Sequence, residues 1–200
     1  TPVEVSELNS TASDSNPVVS PDGLTLWLSS RRDVSPFEIY VSTRTSRTEP
    51  WSTPSIVPEL NSTASDFAGA VTSDGLTIFL SSSRSGGAGS TDAYSATRSA
   101  SDKAWGSLSP LGGINTSADE TGLWLRPDGL IIYFDSDRGT QAADLYRATR
   151  TSPTSAFGDV EPVTELNTAD TETDPWLSVD TRYIMFTRGT PPRNIYHASR

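Results

Sequence analysis

The sequence predicts an all-β fold, a β-propeller with four blades of four antiparallel strands. A turn motif, Ser-Pro-Asp-Gly at residues 20–23, recurs about every 52 residues, with its aspartate at Asp22, Asp74, Asp128 and Asp180. A fixed period of this size is typical of solenoids, propellers and arrays. Each repeat contains four short strand-like runs joined by turns, and no stretch has convincing helical periodicity. Four strands per repeat is the pattern of a propeller blade.

The turn motif leads into the second strand of each unit. Pro21 presets φ near −65°, and Gly23 supplies the positive φ that closes the turn. The run that follows is rich in β-branched, leucine and aromatic residues, as a buried strand should be. The fourth copy has Thr181 where the others have glycine, and it lacks the proline. Because threonine adopts a left-handed conformation only at a cost, a different turn is predicted there.

Other residues recur at fixed distances from the turn. An asparagine and then an acid precede a short first strand, and an arginine follows the second strand. We expect this arginine to bridge neighbouring blades or turns. The third strand carries a tyrosine, and an aromatic residue opens the fourth strand in the first three units. The recurring residues are Asn9, Asn61, Asn115 and Asn167; Arg32, Arg84 and Arg138, with Arg188 two places earlier in its unit; Tyr40, Tyr94, Tyr146 and Tyr196; and Trp51, Trp105 and Phe157.

The chain is predicted to form a single domain over residues 1–200, with repeat units at about 10–61, 62–115, 116–167 and 168–200. Residues 1–9 align with the end of a fourth strand, whereas the last unit supplies only three strands. We therefore expect residues 1–9 to complete the last blade and close the ring, which would also hide two sheet edges. The alternative is a set of blades cut from a longer propeller.

Composition excludes several classes of function. The formal net charge is −10, with 25 acidic against 15 basic residues, which argues against binding to nucleic acid. No apolar run is long enough to span a membrane, so no membrane insertion is expected. There is no cysteine, and His197 is the only histidine, so thiol chemistry, zinc sites and histidine-centred catalysis have no support. We expect a monomer.

The repeat resembles a known family. Ser-Pro-Asp-Gly, an apolar strand, Ser-x-Arg and then Asp-Ile/Leu-Tyr-x-Ala-Thr-Arg resemble the WD-like repeat of TolB-type β-propellers over essentially the whole chain. The resemblance implies a bacterial protein that is periplasmic or extracellular, although no signal peptide is present in the chain. It also implies a binding platform that engages a protein or glycan at one propeller face. Family members commonly have six or seven blades, so a ring of four would be a departure.

Four acids at one register are the most ordered polar feature. Their strand is expected to be innermost, so their carboxylates would ring one mouth of the central channel and present a candidate site for Ca²⁺ or another hard cation. An identical register in all four copies instead favours acids that accept hydrogen bonds within their own blades. No cofactor is expected, and Ca²⁺ in the central channel is the alternative. The acids are Asp14, Asp66, Glu120 and Glu172.

Two tryptophans break the repeat. Trp124 and Trp176 lie four residues before their turn aspartates, where the first two units have Val18 and Ala70. On an exposed face, neighbouring indoles could stack a sugar or grip a peptide. The alternative is packing between blades three and four. We include the nearby Asp174 with them as a candidate ligand-binding residue.

Most features of this sequence recur in every repeat, and few occur in one repeat alone. An enzyme needs one asymmetric cluster of reactive groups, whereas a binding scaffold needs only a shaped face. The sequence therefore favours a non-enzymatic binding or scaffold module with no catalytic residues. The alternative is a carbohydrate-active hydrolase or lyase that uses carboxylates at the channel mouth, such as Asp174 with Glu172.

Overall fold

The computed structural model describes residues 2–33, 36–139 and 142–199, which form four antiparallel sheets and no helix that could cross a membrane. Within each sheet the strands follow chain order, so every sheet is a meander. The strands are β1 (Asp14–Val19), β2 (Thr25–Ser30), β3 (Glu38–Thr43) and β4 (Ser55–Ile56); β5 (Asp66–Val71), β6 (Thr77–Ser82), β7 (Asp92–Thr97) and β8 (Ser109–Pro110); β9 (Glu120–Leu125), β10 (Ile131–Ser136), β11 (Asp144–Thr149) and β12 (Gly158–Pro162); and β13 (Glu172–Leu177), β14 (Tyr183–Arg188) and β15 (Asn194–Ser199).

The sheets are arranged as the blades of a β-propeller. The first strand of each blade contacts the first strand of the next, from β1 to β5, from β5 to β9 and from β9 to β13. The first strands are therefore innermost. The prediction of an all-β propeller with four antiparallel blades is confirmed.

The turn between the first and second strands keeps its geometry in the fourth blade. Gly23 has a φ of 74° and Thr181 a φ of 57°, both in the left-handed region. Asp180 Oδ1 accepts hydrogen bonds from Ser178 Oγ and from the Arg182 N–H, as the turn aspartate does in the first two blades. The prediction of a different turn here is wrong. These bonds hold a β-branched residue in a conformation that it otherwise avoids.

The core lies between neighbouring blades. We call the face of a blade that packs on the next blade its leading face, and the opposite one its trailing face. On the leading face of blade 1, Trp27 is buried and meets Trp105 of blade 2 edge to face, with ring centroids 6.4 Å apart. Phe79 meets Phe157 of blade 3 in the same way at 6.2 Å. The aromatic residues at these repeated positions therefore pack adjacent blades against each other.

The structure differs from the sequence-based expectation at the two ends. Blade 4 has three strands in the described residues, and residues 2–13 contain no strand. Thr1 lies outside the described residues. The expected pairing of residues 1–9 with the last blade is therefore not formed, and β1 has no contact with β13. The described blades form an open arc.

Contacts of Leu8 explain where the N-terminal segment lies instead. Its side chain packs against the buried trailing-face cluster of blade 1, which includes Leu26 and Leu28. Its carbonyl accepts a hydrogen bond from Arg32 Nη2 at 2.7 Å. These contacts join the segment to the blade that follows it in the chain, while β15 has no fourth-strand partner among the described residues.

Candidate ligand groove

The four acids at the start of the inner strands are each bound within their own blade. Asp66 is fully buried, and its Oδ1 accepts a hydrogen bond from Arg84 Nη2 at 2.6 Å. Its Oδ2 accepts from the Ser62 N–H at 2.7 Å and from Ser62 Oγ at 2.9 Å. The corresponding ion pairs are Asp14 with Arg32, Glu120 with Arg138 and Glu172 with Arg188.

The same arginines join successive repeat units. Arg84 Nη2 also donates to the Leu60 carbonyl, on the segment that leaves blade 1. Arg138 bonds Ile114 and Arg188 bonds Leu166 in the same way. The prediction that these arginines bridge neighbouring blades or turns is confirmed for Arg84 and Arg138, while Arg32 bonds the Leu8 carbonyl on the N-terminal segment.

The acids are poorly arranged for a shared cation. Each carboxylate already accepts bonds from a guanidinium and from a Ser or Thr hydroxyl, which together take up lone pairs that a cation would need. Burial opposes ionisation of Asp14, but hydrogen bonds from Ser30, Ser10 and Arg32 still leave the pKa of that carboxyl below its ordinary value. In residues 2–33, 36–139 and 142–199, no three His, Cys, Asp or Glu side chains are grouped so as to hold a metal ion.

A β-bulge interrupts each inner strand between the acid and the turn. In β13 the register with β14 shifts between Thr173 and Trp176, and Asp174 takes a φ of 56°. A bulge re-aims the residues that follow it. After the bulge, four residues face the same position of the second strand: Val18 pairs with Trp27, Ala70 with Phe79, Trp124 with Tyr133, and Trp176 with Met185.

These four residues lie in one groove at the turn end of the inner strands. The groove has a volume of about 450 Å³ and receives side chains from all four blades. Its lining has no charged side chain, and Ser73 supplies its one side-chain hydroxyl. Val179, from the turn of blade 4, is 79 % exposed at its edge. In a chain with a net charge of −10, such a neutral concave surface is a candidate binding site.

The two tryptophans that break the repeat both line this groove, in different ways. Trp124 is partly buried, lies edge to face on Tyr133 at 5.9 Å and packs against the cluster between blades 3 and 4. Trp176 is 52 % exposed. Trp124 therefore combines core packing with groove lining, while about half of the Trp176 side chain remains exposed.

Asp174 does not line the groove. It lies at the other end of β13, in a polar cavity of about 330 Å³ between blades 3 and 4. Its Oδ2 accepts hydrogen bonds from the Thr173 and Thr187 hydroxyls. Glu172 is fully buried in its ion pair with Arg188 and does not line this cavity. Asp174 therefore lies apart from the two tryptophans. It also does not share a cavity with Glu172, the carboxylate expected to act with it in an enzyme.

Sequence reasoning missed Asp135, the most perturbed carboxyl of the polar cavity. It is buried, and it accepts hydrogen bonds from the Thr121 hydroxyl and from the Asp174 N–H. Burial raises its pKa to about 6, against the lowering effect of these two bonds. The signal was present in the sequence, because Asp135 occupies the register where Ser29 and Ser81 stand in the first two blades.

Solved structures with the same arrangement include two TolB proteins. A protein assigned as TolB from Agrobacterium tumefaciens superposes with a TM-score of 0.66 at 18 % identity, over 92 % of this chain and 60 % of that chain. TolB from Acinetobacter baumannii superposes with a TM-score of 0.59 at 19 % identity, over 96 % of this chain and 42 % of that chain. The fold is that of TolB-type β-propellers.

The same arrangement of strands also superposes on an enzyme. A thermostable family-43 glycoside hydrolase superposes with a TM-score of 0.61 at 12 % identity, over 92 % of this chain and 69 % of that chain. No family model and no curated protein sequence matches the chain. The chain spans about three fifths and two fifths of the lengths of the two TolB proteins. Similarity at these sequence identities establishes the fold but not the function. The function has to be argued from the residues of this chain.

Proposed function

We propose that the protein is a non-enzymatic binding module that holds an apolar peptide segment of a partner protein in the groove of Trp124 and Trp176. The observation that carries this proposal is the half-exposed indole of Trp176 in a groove without charged side chains. Exposed aromatic residues at the centre of a concave apolar surface are the usual anchors of protein recognition. We infer a periplasmic or extracellular bacterial setting from the TolB-type fold.

The lining of the groove favours a peptide over a glycan. A sugar presents hydroxyls that need several hydrogen-bonding partners, and a site that leaves them unpaired loses affinity. Ser73 supplies the one side-chain hydroxyl of the lining, and the indole N–H groups of Trp124 and Trp176 are its other side-chain hydrogen-bonding groups. Apolar side chains of a peptide need no such partners, and each gains about 25 cal/mol for every Å² of apolar surface it buries.

The proposal can be tested with a peptide-display library of random 12-residue segments, selected on the immobilised chain. We expect enriched peptides to carry aromatic or aliphatic anchors and to lose binding to Trp176→Ala and Val179→Asp. Ile56→Asp is the matched control, because Ile56 is an exposed aliphatic residue outside the groove. Enriched peptides that bind the groove variants and the parent equally, or a glycan array that gives the only binding, would contradict the proposal.

A carbohydrate-active enzyme is the second candidate, and one observation favours it. Asp135, with its raised pKa, and the exposed Asp174 lie in the same polar cavity, and a raised carboxyl pKa is what a general acid needs. Both oxygens of Asp135 are, however, occupied by bonds to Thr121 and to the Asp174 backbone. Turnover of aryl glycosides by the parent chain that is lost in Asp174→Ala would support the enzyme and contradict a purely binding role.

A further inference from the structure

The polar cavity between blades 3 and 4 has no counterpart of the same character between blades 1 and 2. Its volume of about 330 Å³ is at the lower end of the range for small-molecule sites. At the junction of blades 1 and 2, which we call the first junction, the rings of Phe37 and Phe67 pack on each other with centroids 5.0 Å apart. Because both junctions are built from the same repeat, the lining residues of the cavity have counterparts at the first junction.

Two smaller residues stand where the first junction has these phenylalanines. Phe37 directly precedes β3, and its carbonyl accepts a hydrogen bond from the first N–H of β5 at 2.9 Å. Ala143 directly precedes β11, and its carbonyl accepts from the first N–H of β13 at 2.8 Å. Phe67 and Thr173 are likewise the second residues of β5 and β13. Since Ala143 and Thr173 both line the cavity, the absence of the two rings leaves this space open.

The wall of the cavity also has two carboxyls at positions that are uncharged at the first junction. There, Ser29 Oγ accepts a hydrogen bond from the Ala68 N–H at 2.9 Å. Between blades 3 and 4, Asp135 Oδ1 accepts from the Asp174 N–H at the same distance. The longer side chain of Asp135 has room because residue 122 is glycine, where a Cβ would overlap Asp135 Oδ1. The bond across the junction is thus kept, while Asp174 adds an exposed carboxylate to the cavity.

The lining combines hydrogen-bond donors with acceptors. Arg193 Nη1 donates to the Thr173 hydroxyl at 3.0 Å, and the other N–H groups of this exposed guanidinium can donate to a ligand. Carboxylate oxygens, which only accept, come from Asp119, Asp137 and Asp174. The carboxylates repel an anionic ligand, and a cationic ligand would leave the donors of Arg193 without acceptors. A neutral ligand with several hydroxyls can use both kinds of group, because each hydroxyl donates and accepts.

We propose that this cavity binds a small neutral polyhydroxylated molecule, a sugar or a sugar alcohol. Hydroxyls of the ligand donate to the Asp137 and Asp174 carboxylates and accept from the Arg193 guanidinium. The site goes beyond the proposed peptide-binding function, since the cavity and the groove share no lining residue.

Ligand-observed NMR titrations test the proposal with D-glucose, D-xylose, D-mannitol and myo-inositol as probes, and with spermidine and inorganic phosphate as charged comparisons. We expect at least one polyol to bind, and the first two probes against the last two distinguish a sugar from a sugar alcohol. Asp174→Ala and Arg193→Ala should each weaken that binding about tenfold, because hydrogen bonds to a charged group are lost. Asp102→Ala is the matched control and should leave binding unchanged, because Asp102 is an exposed aspartate outside the cavity.

A double variant, Ala143→Phe with Thr173→Phe, should abolish binding, because it places in the cavity the ring pair of the first junction. Circular dichroism verifies that each variant folds. If the double variant does not fold, the variants of Asp174 and Arg193 decide the question, because both residues are exposed. Binding of spermidine or phosphate but of no polyol, no binding of any probe, or polyol binding that none of the cavity variants weakens would each overturn the proposal.

Discussion

The guanidinium of Arg84 lies 2.6 Å from Asp66, a carboxylate whose side chain has no exposed surface. The same Nη2 bonds the Leu60 carbonyl at 2.8 Å, on the segment that leaves the preceding blade. A buried carboxylate is tolerated when an opposite charge and hydrogen bonds compensate its lost hydration. The recurring acids of the sequence thus act together with their arginines as anchors at the blade junctions.

Removal of the guanidinium should strongly destabilise the fold. Arg84→Met leaves Asp66 buried and without its counter-charge, which is expected to lower the free energy of unfolding by about 3–5 kcal/mol in urea denaturation. Lys103→Met is the control, because Lys103 pairs with Asp102 at a highly exposed position. The double variant Asp66→Asn with Arg84→Met should recover part of the loss, since no unpaired charge remains. Equal effects of Arg84→Met and the control would contradict this account.

Metal removal should have no effect on stability. Each acid of the recurring set has an arginine partner in its own blade, so no shared cation is needed to offset repulsion among them. We expect a chelator to leave the melting temperature unchanged and added Ca²⁺ to leave it unchanged as well. A drop on chelation that Ca²⁺ reverses by mass action would instead indicate a metal site at the channel mouth.

Asp135 should make the folded state less stable as pH rises from about 4 to about 6. Its pKa is raised to about 6 in the folded protein, whereas an unfolded aspartate has a pKa of about 3.9. Between these values the folded state holds the proton and the unfolded state has lost it, so the free energy of unfolding falls, by up to about 3 kcal/mol.

The variant Asp135→Asn isolates this contribution from that of the other carboxyls. Asparagine does not titrate, so the stability of the variant relative to the parent should increase from pH 4 to pH 6 and then level off. Urea denaturation at several pH values measures this difference. A difference that stays constant across the range would show that Asp135 is not the titrating group.

The two groove tryptophans should differ in their contribution to stability. Trp124 packs on Tyr133 and the cluster between blades 3 and 4, so Trp124→Ala is expected to cost about 3 kcal/mol. Trp176 is half exposed, and Trp176→Ala should change stability by less than about 0.5 kcal/mol. Trp176→Phe should remove the fluorescence component most readily quenched by acrylamide. Equal losses for both alanine variants would place Trp176 in the core and remove the ligand anchor.

Thr181 should be replaceable by glycine with a gain in stability. Its φ of 57° costs an L-residue roughly 1–2 kcal/mol that glycine does not incur, so Thr181→Gly should raise the free energy of unfolding by about 1 kcal/mol. Gly75→Thr is the matched reverse change. Gly75 has a φ of 69°, and an added Cβ would meet only Arg98 at 3.6 Å, so a loss there reports backbone strain. A stabilising effect of Gly75→Thr would contradict this reasoning.

The repeat made most of the fold predictable. Turn aspartates, strand aromatics and the recurring arginines encode contacts that lie within one unit or between successive units, and such contacts recur whenever the sequence recurs. Asp66, Arg84 and Trp105 therefore occupy their expected places. Thr181 did not follow its own propensity, because hydrogen bonds from Ser178 and Arg182 to Asp180 outweigh the preference of a single residue.

The sequence by itself determined the blade, the number of repeats and the polar anchors, since these depend on local turns and on periodic patterning. Only the tertiary structure decided which surfaces remain uncovered. Trp124 and Trp176 meet in one groove, while Asp174, two residues from Trp176, lines a different cavity, because the bulge in β13 divides the strand. The arc stays open between β1 and β13 because closure depends on the relative orientation of all four blades, which no single repeat encodes.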